Sequence, residues 1–130
     1  MFGGLRPYQI GPINRGCVFS LKLNSKNCDG TWVDKTGKKL YLTAKTEPWD
    51  NDADDSDAIF KVLGTIPNPS EEPGRVVFSL SEEDTYQNPD VLYFYDIVET
   101  DADGTNAKRL AIGTFNIIGG ANNAQAGGEV

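Results

Sequence analysis

The densest group of residues able to do chemistry is 49–58, WDNDADDSDA, with five aspartates. Carboxylates crowded in this way are hard oxygen ligands of the kind calcium prefers. Asp50, Asp52 and Asp54 stand at the D-x-D-x-D spacing that opens an EF-hand loop. That loop needs glycine at its sixth position and a bidentate glutamate at its twelfth. Here those positions hold Asp55 and Lys61, and the flanking pattern is strand-like, so an EF-hand does not fit. Two readings remain: a looser calcium site between strands, or a solvated hairpin loop that charge repulsion keeps extended. The second is the simpler, and it leaves Trp49, Asp50, Asp52 and Asp54 as a surface contact and no metal site.

Other catalytic chemistry finds little support. The chain has no histidine, which removes the commonest general base and metal ligand together with Ser-His-Asp and Cys-His arrangements. Cys17 and Cys28 are too few for a four-cysteine zinc site, and both are expected as free thiols, Cys17 as a small core residue. Glu82, Glu83, Asp84 and Asp96 could in composition supply a glycosidase pair, but the first three lie in SEEDT, where helix capping explains them. No phosphate-loop spacing occurs. Trp32 and Trp49 could stack on sugar, although an indole beside a loop is more simply a lid on a core. No catalytic residue and no cofactor is expected.

The chain's 130 residues fit one domain. A net charge of −7 and a pI near 4.5 argue against nucleic acid and anionic membrane as partners. No apolar run is long enough to cross a membrane as a helix. The opening MFGGLRPYQIGPINRG lacks the basic and apolar regions of a secretory signal, so the cytoplasm of the cell that makes the chain is its expected starting point.

The elements that would position any site are strands. Helical periodicity is nearly absent, and short alternating segments are separated by turn signals. CVFSLKL (17–23) turns Cys17, Phe19, Leu21 and Leu23 to one side. KKLYLTAKT does the same with Leu40, Leu42 and Ala44, and RVVFSLS with Val76, Phe78 and Leu80. A short patch at 31–33 and AIFKVLGTI (58–66) add further strand-like segments. SEEDT (81–85) predicts one helical turn capped by Ser81. LYFYDIVE (92–99) is apolar on both faces, as a central strand would be. Asp103-Gly104 marks a hairpin turn before RLAIGTFNII (109–118). Gly113 inside that strand predicts a bulge or a close backbone approach. About seven strands at this spacing predict an antiparallel β-sandwich.

The flanks differ from this middle. Residues 1–13 carry Phe2, Leu5, Tyr8, Ile10 and Ile13, too apolar for a free tail, and are expected to be an N-terminal docking arm. Residues 119–130, GGANNAQAGGEV, read as a tail rich in Gly, Ala and Asn. The sandwich is expected over 14–118.

Several pieces taken in order form a more specific pattern. They are Arg15-Gly16 before an alternating strand, Asp34 to Gly37 (DKTG), Gly74 to Leu80 running into Asp84-Thr85, Tyr93, Tyr95 and Asp96, and Gly113-Thr114-Phe115. Together they resemble the immunoglobulin-like module at the N-terminus of phage baseplate upper proteins. Lys35, where that family usually has an apolar residue, and Cys17, where it usually has an acid, depart from the pattern. The resemblance implies a non-enzymatic bacteriophage virion protein: an immunoglobulin-like sandwich docked on other phage structural proteins, present in multiple copies or as a homo-oligomer. Its place would be the tail, the baseplate or the capsid surface, as an adaptor or as a decoration or head-fibre subunit. The alternative is a carbohydrate- or calcium-binding β-sandwich module.

Overall fold

A computed structural model of the protein describes residues 7–46 and 58–119. Eight strands and one helical turn follow in order: β1 (Pro7–Gln9), β2 (Ile13–Asn14), β3 (Phe19–Asn24), β4 (Lys39–Lys45), β5 (Phe60–Leu63), β6 (Arg75–Leu80), α1 (Glu82–Thr85), β7 (Leu92–Thr100) and β8 (Lys108–Ile118). Phe2 and Leu5 of the expected arm, and Trp49, Asp50, Asp52 and Asp54 of the acidic stretch, lie outside the described residues.

The period-2 alternation becomes two sheets. The larger runs β1-β8-β7-β4-β5, with β2 also on β8, and the smaller pairs β3 with β6. Strands β4, β6 and β7 turn their apolar sets inward. Leu40, Leu42 and Ala44 of β4, Val76, Phe78 and Leu80 of β6, and Tyr93, Tyr95 and Ile97 of β7 are all buried. Phe115 lies at the centre, its ring 5.3 Å from that of Tyr93 and 6.0 Å from that of Phe60. Strand β7, apolar on both faces, sits between β8 and β4.

The chain is an all-β, immunoglobulin-like sandwich. A six-strand sheet whose two N-terminal strands pair in parallel with the last strand faces a second sheet built from the third and sixth strands. At the corner between the sheets, Tyr93 near the start of β7 donates its hydroxyl to the Asn88 carbonyl at 2.8 Å. This is the tyrosine corner of such sandwiches, formed here without an intersheet disulfide. Cys17 and Cys28 are free thiols.

Three expectations change. The sheet is mixed rather than wholly antiparallel, since β1 and β2 run parallel to β8. The N-terminal segment is not a separate arm from Pro7 onward. Backbone pairing makes it a strand of the sheet, and Ile10 and Ile13 are 6% and 2% exposed in the chain's own core. The bulge, one of the two readings of Gly113, falls elsewhere: the β7–β8 register shifts between Ile97 and Val98, which pair with Ala111 and Arg109 and skip Leu110.

The turns follow from residue chemistry. Asp29, Asp34 and Asp103 each accept the hydroxyl and the backbone amide of the threonine two residues on. These bonds, the hydroxyl's first, hold all three carboxyls below the usual aspartate range. Gly37 and Gly104 adopt φ of +80° and +87°, a region that a side chain disfavours. SEEDT forms a capping box in which Ser81 accepts from the Asp84 amide while Asp84 accepts from the Ser81 amide. The buried Thr85 then donates its hydroxyl to the Cys17 carbonyl at 2.7 Å. That bond ties the helical turn to the chain entering β3.

Candidate interaction surface

Register fixes which side chains share the outer face of the larger sheet, because partnered residues on adjacent strands point the same way. One row joins Leu63, Tyr41 and Val98; the next joins Lys61, Thr43, Asp96 and Ile112; a third joins Lys45, Phe94 and Thr114. Leu92 and Asn116 complete the face at the far end of β7 and β8. Leu63 is 50% exposed and Leu92 44%.

Charge is distributed among these apolar groups. The Lys61 ammonium lies 4.9 Å from the centre of the Tyr41 ring, within cation–π range. Arg109 Nε donates to Asp96 Oδ2 at 3.2 Å. Where β4, β5 and β7 meet the β7–β8 turn, Lys39, Tyr41, Thr43, Lys61, Asp96 and Val98 line a depression of about 490 Å³. At the sheet end, Lys38 pairs with Asp101, which also accepts from Asn106. The Asp101 bond raises the Lys38 ammonium above its usual range, and the Lys38 bond lowers the Asp101 carboxyl. The aromatic rings and the arginine on this face are of the types that protein interfaces enrich, whereas its lysines and Asp96 are of the types they deplete.

Behind this face lies a pair that the sequence did not reveal. Lys35 Nζ donates to Glu99 Oε1 at 2.6 Å, with only 13% and 7% of the two side chains exposed. Glu99 points inward on β7, in register with Leu40. Lys35 is therefore the partner of a buried acid 64 positions away. Local sequence carries no signal for such a pair.

The other singled-out residues fall as follows. Trp32 is half-buried beside Gly74 rather than a core lid, with Lys26 Nζ 4.5 Å from its ring centre and the Arg75 guanidinium 5.6 Å away. Glu82, Glu83 and Asp84 form the first turn of α1, where the helix start favours acids. Asp96 lies on the outer sheet face, on a different element. Tyr8 is in β1. Among the described residues, no group of three or more His, Cys, Asp or Glu side chains is placed to hold a metal ion, and no helix is long and apolar enough to cross a membrane.

No protein-family model matches the sequence, and no curated protein matches it. Among solved structures, one of murine CRIg is similar at 12% identity, covering 86% of this chain and 93% of that one, with a TM-score of 0.37.

Proposed function

We propose that the chain is a non-enzymatic structural subunit of a bacteriophage virion, an adaptor or decoration module that docks on neighbouring virion proteins and is present in several copies. The observation that carries a docking role is the outer face of the larger sheet, where Tyr41, Leu63, Phe94, Val98 and Ile112 lie in adjoining rows among Lys61, Asp96 and Arg109. The virion assignment rests on the ordered resemblance to the baseplate module. Among its pieces, Gly16 takes a positive φ at its turn and Thr85 bonds the Cys17 carbonyl ahead of β3.

The depression beside Tyr41 favours a second reading, a module that holds a carbohydrate against one aromatic ring and several polar groups. Mass spectrometry of particles purified from the source of the sequence separates the two. The virion reading predicts the chain in purified particles at fixed, multiple copy number, and less of it when Leu63→Glu is substituted. Particles free of the chain, together with saturable glycan binding lost in Tyr41→Ala, would favour the carbohydrate reading.

A further inference from the structure

The smaller sheet has two strands, and the outer sides of those strands are unlike. On β6, Val77 exchanges both backbone bonds with Thr65, at 2.8 and 2.9 Å. No strand among the described residues pairs with the outer side of β3. Val77 is in register with Lys22, and its amide and carbonyl face away from β3. In an antiparallel ladder both members of such a pair face away from each other. The backbone groups of Lys22, and by alternation those of Ser20 and Asn24, therefore face the open edge. The Ser25 amide, which bonds the Gly74 carbonyl at 2.9 Å, confirms the phase.

The core beneath this edge is also incompletely covered. Phe19, Leu21 and Leu23 point inward but are only half-buried. Their partners on β6, Leu80, Phe78 and Val76, are 2%, 0% and 1% exposed. Val18, at the mouth of the edge, is 74% exposed. An edge with unpaired backbone groups over a partly open apolar floor is what an added strand binds.

Charge and register select the occupant. A second copy pairing antiparallel along the full edge must match outward-facing residues with outward-facing residues, which sets Lys22 directly against Lys22. Like charges directly opposite destabilise a ladder. We propose that the outer edge of β3 is a docking site for an extended segment of a partner protein, with an acid opposite Lys22 and an apolar residue on each side of that acid. The acid pairs with Lys22 on the outer face, and the apolar residues cover Leu21 and Leu23 on the inner one. The site would serve any such partner, in a particle or outside one, and so goes beyond the virion assignment.

The test uses the full chain and two blocked peptides, Thr-Val-Glu-Val-Thr and Thr-Val-Lys-Val-Thr, followed by NMR. In the free chain the amides of Ser20, Lys22 and Asn24 should exchange with solvent much faster than those of Leu21 and Leu23. The glutamate peptide should slow those three amides and bind about fivefold more tightly than the lysine peptide. Lys22→Glu should reverse that order. Lys22→Pro, which removes one outward donor at an edge position that tolerates proline, should keep the fold and abolish binding. The proposal is overturned if the three amides are already protected in the free chain. It is equally overturned if the glutamate peptide does not bind, if the two peptides bind alike, or if folded Lys22→Pro still binds. None of these outcomes depends on particle association.

Discussion

At the scale of single residues, the most consequential contact is Lys35 with Glu99. Two charges taken out of water are held by one short bond, so removing either partner strands the other. Lys35→Met should destabilise the fold by about 3–5 kcal/mol, whereas Lys35→Met with Glu99→Leu should recover most of that loss, because an apolar pair of similar size needs no desolvation. Urea unfolding of the two single variants and the double variant closes the cycle. The turn aspartates set the acid limit. Asp29, Asp34 and Asp103 have folded-state values below the usual 3.8, so their contribution is present above that pH and is lost as pH falls through the lower folded values. The alkaline limit has the opposite sign. Lys38 is raised above 10.5 by its bond to Asp101, and Tyr93 above 10.0, chiefly by burial. Stability from these two is complete below those values and is lost as pH rises through the folded ones. A melting-temperature profile should therefore be flat with respect to these groups between about pH 5 and 9 and fall on both sides.

At the scale of elements, the capping box and the Thr85 bond make α1 a clamp on the entry to β3. Ser81→Ala should cost about 1 kcal/mol. Thr85→Val should cost about 1 kcal/mol, since it leaves the part-buried Cys17 carbonyl without its donor, and amide exchange should quicken at the start of β3. Gly74 is a second constraint, because a Cβ there would come within 2.5 Å of the Ser25 and Val33 carbonyl oxygens. Gly74→Ala must therefore displace backbone, and its melting temperature should drop. The elements most legible in the sequence are β3, β4 and β6, whose apolar sets alternate cleanly, β7, whose two apolar faces mark a central strand, and SEEDT between β6 and β7. Alternation shows which face of a strand is inside, but not which strand lies beside it. For that reason the parallel pairing of Pro7–Gln9 and Ile13–Asn14 with β8 was not visible, and Ile10 and Ile13 read as docking residues although they pack in the chain's own core. The Lys35–Glu99 pair and the open edge of β3 were hidden for the same reason, since both depend on neighbours distant in sequence.

At the scale of the whole molecule, the fold does not by itself assign a function, and the proposed docking role has to be argued from the surfaces. The outer face of the larger sheet combines exposed Leu63 and Leu92 with Tyr41, Phe94 and the Asp96–Arg109 pair, and a neighbour would bury them together. The solvated-loop reading of the acidic stretch predicts no rise in melting midpoint in millimolar calcium, whereas a true site would raise it by mass action. The proposed docking of this domain inside a particle is tested most directly by cryo-electron microscopy of intact particles purified from the source of the sequence. The account predicts repeated density for the sandwich, with the face bearing Tyr41, Leu63 and Phe94 against a neighbouring virion protein. Particles without that density, or with that face open to solvent in every copy, would contradict it.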